Sequence, residues 1–99
     1  MTMLFVTYPG DASMHFDRDY YLSTHLPLVL EAWGPYGLET AAAFFPAGDG
    51  ADTIAVCVCG FRDEAAIPAA LASPQTERVM ADVKNFTDAV PTQSRAVPL

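Results

Sequence analysis

From Asp52 to Phe61 the chain runs DTIAVCVCGF, a segment with almost no polar side chain. Successive side chains of a strand point to opposite faces. Ile54, Val56 and Val58 therefore share one face, and Ala55, Cys57, Cys59 and Phe61 share the other. Thr2 to Tyr8 behaves alike, with Met3 and Phe5 opposite Leu4, Val6 and Tyr8. An antiparallel sheet with one wetted face alternates apolar and polar residues, and these strands do not. Both faces need a cover.

The rest of the chain supplies helices for only one of them. Pro9-Gly10-Asp11 ends the first strand, and Phe16-Asp17 opens a helix with Asp17 as its N-cap. Asp19 suits the positive end of the helix dipole, and Phe16 is placed to staple onto Tyr21. Leu22, Leu26, Val29 and Trp33 recur at helical spacing as one buried stripe. Pro27 should kink or divide this helix near Thr24-His25-Leu26, and Gly34-Pro35 stops it. Glu39–Ala47 and Asp52–Phe61 read as two strands, joined antiparallel by a hairpin at Gly48-Asp49-Gly50. Asp63 and Glu64 begin a second helical stretch carrying Ile67, Ala70 and Leu71. Ser73-Pro74 reads as a fresh N-cap for a helix burying Val79, Met80 and Val83. A last strand is expected at Thr92–Val97.

The order β-α-β-β-α-β is the split βαβ, or ferredoxin-like, pattern of the α+β class. Ninety-nine residues make a single domain, 1–99. Helices on one side of a four-stranded antiparallel sheet leave its other face bare, and a second copy stacked sheet to sheet is the economical cover. A homodimer is expected.

Composition narrows the partners. Twelve acidic against five basic residues give a charge of −7, and no Lys or Arg lies between Asp19 and Phe61. Nucleic acid needs clustered cations to displace its counterions, so neither it nor an anionic membrane surface is an expected partner. No apolar run approaches the roughly 18–20 residues of a membrane span. Met1 to Pro9 carries no basic residue and its apolar run ends at Pro9-Gly10. No secretory signal is read there, and a cytoplasmic location is expected.

Cys57 and Cys59 lie two apart, where a disulfide would close a very tight loop. Neither histidine is near enough in sequence to complete a metal site, so both thiols read as small buried hydrophobes. No metal and no cofactor are expected. Phosphate loops, nucleophile elbows and H-E-x-x-H pairs are missing. Asp17 and Asp19 form no dyad, because residues two apart on a helix do not face each other.

What remains is an early aromatic concentration: Tyr8, Phe16, Tyr20, Tyr21, Trp33 and Tyr36, with His15 and His25 among them. His25 and Tyr21, one turn apart, sit at the rim of the apolar stripe, where a pocket with few polar groups could form. A histidine there suits general acid–base work, since its ordinary pKa is near neutrality. Equally, it could serve the backbone carbonyls freed at the Pro27 kink. Trp33 fills core or stacks on a ligand. Beyond these, Asp88 is a candidate acid.

Tyr8-Pro9, then Phe16-Asp17-x-Asp19-Tyr20-Tyr21-x-x-x-His25-x-Pro27-Leu28-Val29, then Trp33-Gly34-Pro35-x-Gly37-Leu38 together resemble the EthD family. Asp82-Val83-x-Asn85-Phe86-Thr87-Asp88, followed by Pro91, is similar to the closing stretch of that family. The resemblance implies a dimeric α+β barrel and a loose kinship with oxidoreductases. His25 matches the family's helix histidine, and Tyr20, Tyr21 and Trp33 match aromatics of its cavity; the site expected has His25, Tyr21 and Tyr20 as catalytic candidates, with Trp33, Tyr8 and Leu22 against a hydrophobic small molecule. Two functions are expected in competition. One is a small oxidoreductase or tailoring enzyme with a pocket between helices and sheet. The other is a non-catalytic ligand-binding or accessory protein of a degradation or polyketide pathway.

Overall fold

A computed structural model describes residues 2–11, 13–47 and 52–97. The strands β1 (Thr2–Pro9), β2 (Leu38–Phe44), β3 (Thr53–Phe61) and β4 (Thr92–Ala96) form one antiparallel sheet in the order β2-β3-β1-β4. With helices between β1 and β2 and between β3 and β4, this is the ferredoxin-like βαββαβ arrangement expected. The tip at Gly48-Asp49-Gly50 lies outside the described residues, but β2 and β3 pair antiparallel. β2 stops at Phe44 instead of Ala47; Pro46 has no N–H with which to continue a ladder.

Register decides which face each strand residue joins. Leu4 pairs with Cys59, Val6 with Cys57 and Tyr8 with Ala55, and this side lies under the helices. Phe5 pairs with both Val58 and Ser94, and Val58 in turn with Ala42. That row, and the next one of Thr7, Val56 and Phe44, lie on the side without helices. Phe44 is 59% exposed there.

The first helical rod comprises α1 (Arg18–Tyr20), a π turn (Tyr21–His25) and α2 (Leu26–Trp33). Asp17 caps it, its Oδ1 accepting the Tyr20 N–H at 3.0 Å, and Phe16 packs on Tyr21 with ring centroids 5.2 Å apart. The kink expected at Pro27 takes the form of the π turn. Pro27 lacks an N–H and would crowd the carbonyl four residues back, and the wider turn relieves this. Leu26 N–H donates to the Tyr21 carbonyl, five residues back instead of four.

That inserted residue shifts the inward face of the rod upstream by one position. Leu22, expected in the buried stripe with Leu26, Val29 and Trp33, is instead 49% exposed. Tyr21 takes its place, wholly buried, and His25 is buried with it instead of standing at a rim.

α3 (Ala66–Leu71) and α4 (Gln75–Asp82) complete the layer. Asp63 Oδ1 accepts the Ala66 N–H at the start of α3. Ser73 does not cap α4; its hydroxyl turns back to donate to the Ala70 carbonyl, and Pro74 stands at the N-cap. Val79 and Val83 are buried as expected, but Met80 is exposed, about 100° around the helix from Val79. Trp33 joins the three helices: its Nε1–H donates to Thr76 Oγ1, which donates to the Ala70 carbonyl.

Beyond α4, Phe16 bridges to Thr87, and the Asp17 N–H donates to the Phe86 carbonyl at 2.8 Å. These bonds bring the end of α4 beside the start of the first rod. No helix among the described residues is long and apolar enough to cross a membrane.

Candidate functional site

The contact that defines the site joins those two ends. His25 Nδ1 lies 2.9 Å from Asp82 Oδ2. The other carboxylate oxygen, Oδ1, accepts from the Tyr20 hydroxyl at 2.7 Å and from Asn85 Nδ2 at 3.0 Å. Burial raises the Asp82 pKa, but the hydrogen bonds from Tyr20, Asn85 and His25 outweigh it, and the carboxyl is held below its ordinary value. An ionised carboxylate only accepts, so Nδ1 carries the proton of this bond and Nε2 keeps its lone pair. Burial, opposed by Asp82, lowers the His25 pKa. The imidazole is therefore neutral at pH 7.

These directions fix the sign of a pH effect on stability. Below about 6.5 an unfolded histidine takes up a proton while the native one does not. The unfolded state then binds more protons, so stability falls as the pH drops from 7 through that window. Asp82 adds a second loss below its ordinary value near 4, where the unfolded carboxyl protonates first. Calorimetry from pH 7 to 5 is expected to show a falling Tm, with a shallower slope in His25→Gln.

Around the imidazole the surroundings are apolar. Its ring lies 4.6 Å from that of Phe86 and stacks on Tyr21 at 5.5 Å, centroid to centroid. His25 and Tyr21 open, with Trp33, onto a pocket between rod and sheet of about 370 Å3, mouth included. Tyr8, Cys57 and Cys59 form its sheet side, and Val79 and Val83 its α4 side. Pro91 and Gln93 stand where β4 begins.

Two hydroxyls were candidates, and the structure separates them. Tyr20 is committed to Asp82. Tyr21 Oη is fully buried and, among the described residues, makes no hydrogen bond of normal geometry, although the Tyr8 hydroxyl and the Cys57 thiol lie close to it. An unsatisfied buried hydroxyl costs about 1–3 kcal/mol. Burial pushes the Tyr21 and Tyr8 phenols far above their ordinary range, so both keep their protons. The cysteine sulfurs lie 3.6 Å apart, both free and buried, as the reading of small core groups requires. The hydrogen bond to Cys57, with burial, holds the Cys59 thiol up.

Of the residues expected here, His25, Tyr21, Trp33 and Tyr8 meet at the pocket. Tyr20 stands behind it, Leu22 faces away, and Asp88 is exposed, with Asp82 taking the acidic role. Asp82 was missed among the candidates although a signal existed. It lies three residues after Val79 and beside Val83, on the flank of the buried stripe of α4.

A four-stranded ferredoxin-like sheet, with an apolar pocket beneath its helices and a His–Asp pair at the wall, defines a small α+β protein. The EthD domain model matches residues 11–89, and the chain belongs to the EthD family. No curated protein matches the sequence. The structure is similar to that of an EthD-like protein from Ralstonia eutropha, with a TM-score of 0.83 at 21% identity. That match covers 96% of this chain and 88% of the other. An EthD family protein from Bacillus halodurans gives 0.76 at 18%, over 100% and 99%. SnoaB, a cofactor-independent oxygenase from Streptomyces nogalater, gives 0.70 at 13%, over 99% and 93%. At these identities the likeness is one of fold.

Proposed function

We propose that this EthD-family protein is a small-molecule tailoring enzyme in which His25 moves a proton to or from a hydrophobic substrate. The observation that carries the reading is the partly buried His25–Asp82 pair, closed at 2.9 Å, with His25 on the wall of an apolar pocket. Asp82 holds the ring in the tautomer that leaves Nε2 free as a base. Tyr20 and Asn85 position Asp82, and are positioning residues. Trp33 and Tyr8 are apolar walls for the substrate. Kinship of fold with SnoaB supports placing the reaction among the oxidoreductases.

The uncovered sheet face belongs to the same reading. Phe5, Val56, Val58 and Phe44 make it apolar, and a second copy stacked on it gives the dimeric α+β barrel.

Titration with 1-naphthol, followed by the 15N shifts of the His25 ring and the fluorescence of Trp33, tests the pocket. A saturable Nε2 shift with a fluorescence change is expected. If neither signal moves, the pocket is not a binding site and the reading falls.

A further inference from the structure

A wholly buried phenol without a partner is an unusual thing to keep, because phenylalanine would fill the same space without an unsatisfied hydroxyl. The rings around Tyr21 are Tyr8, Phe16, Phe45 and Phe86. The Tyr8 hydroxyl and the Cys57 thiol lie close to it as well, but none of these groups meets the Tyr21 hydroxyl in normal hydrogen-bond geometry. Tyr21 nevertheless lines the pocket beside His25, one turn along the same rod and with their rings 21° from parallel. The pocket thus sets a phenol without a well-formed hydrogen bond and a base side by side, in mostly apolar walls.

We infer that the Tyr21 hydroxyl donates to the oxygen of an apolar ketone whose α C–H faces His25, so that the pocket enolises its ligand with no oxidant. The inference rests on His25 being the proton-transfer group. The α C–H bond breaks and its proton passes to His25 Nε2. The released electron pair forms the C=C bond of the enolate, and the charge collects on oxygen, where the Tyr21 hydrogen bond strengthens. Return of a proton from Nε2 to carbon restores both partners. A donor aimed at developing charge in a dry site is most effective if it shares its proton without losing it. Tyr21, with its pKa held high by burial, is such a donor.

The test uses 2-tetralone, a compact bicyclic ketone with acidic C1 hydrogens, in D2O buffer. Proton NMR follows the replacement of its C1 hydrogens by deuterium. Wild-type protein is expected to accelerate exchange over buffer. Removing one such donor costs roughly 10²–10³ in rate, so Tyr21→Phe is expected to fall by that factor while its Tm stays equal or rises. His25→Gln is expected to exchange at the buffer rate. If Tyr21→Phe exchanges as fast as wild type while His25→Gln does not, the role given to Tyr21 is wrong and the proton-transfer reading stands. If His25→Gln matches an active wild type, that reading itself falls. A wild type no faster than buffer, with 2-tetralone shifting the His25 ring signals, overturns enolisation and leaves the pocket.

Discussion

Replacing His25 by Ala is expected to slow proton exchange at C1 of 2-tetralone by about 10²–10⁴-fold, the usual contribution of a positioned acid–base group. The size follows from the geometry. Nδ1 is held by Asp82 at 2.9 Å, and Asp82 is itself held by Tyr20 and Asn85, so Nε2 is preorganised as a base. His25 is 3% exposed and packs on Phe86 and Tyr21, so the Ala variant also leaves a hole and an unpaired carboxylate. Asp82→Asn separates the two effects. It keeps the shape but no longer demands a proton on Nδ1, and the rate should fall with little change in fold. The wild-type rate is expected to hold as the pH drops through about 6.5, where an ordinary imidazole would be half protonated, and to fall only at lower pH, because burial keeps the native imidazole neutral there. If His25→Ala lowers Tm but the surviving protein exchanges normally, His25 is structural and the catalytic role is refuted.

Val58→Asp is expected to convert the protein from a dimer of twice 10.6 kDa to a monomer, as read by sedimentation equilibrium at micromolar concentration. Val58 stands between Phe5 and Ala42 on the face without helices. A carboxylate there would be forced into a desolvated sheet–sheet contact without a partner, which is costly. In a monomer it simply meets water, so far-UV circular dichroism should be retained. Cys59→Asp, one residue along, faces the helices and is 1% exposed. It should abolish folding outright. A wild-type mass near 10.6 kDa throughout the concentration range would refute the stacked-sheet arrangement.

Strand identity, strand order and the apolar character of both sheet faces were legible in the residues. They depend on local pattern, and the runs over Thr2–Tyr8 and Thr53–Phe61, apolar on both faces, survive any context. The same holds for the Asp17 cap and the packing of Phe16 on Tyr21, which involve residues a few positions apart. Which face would go bare was not legible, because strands apolar on both sides satisfy either orientation equally. Only register against β2 and β4 resolves it.

The site was half legible for the same kind of reason. His25, Tyr21, Trp33 and Tyr8 could be drawn from the aromatic cluster, but their orientation depended on helical phase. A regular α-helix carries Leu22 inward. The π turn before Pro27 adds one residue to the turn, turns Leu22 out and brings Tyr21 in. Nothing in the spacing of apolar residues records that insertion. Asp82 lies 57 residues from His25, and their meeting depends on Phe16 bridging to Thr87 and Asp17 bonding to Phe86. The sequence by itself therefore determined the elements, their order and the aromatic, histidine-bearing rod, since these follow from short-range periodicity and capping. Tertiary structure alone decided that an aspartate on another helix would fix the histidine's tautomer, because hydrogen bonding between groups distant in the chain obeys their positions in space.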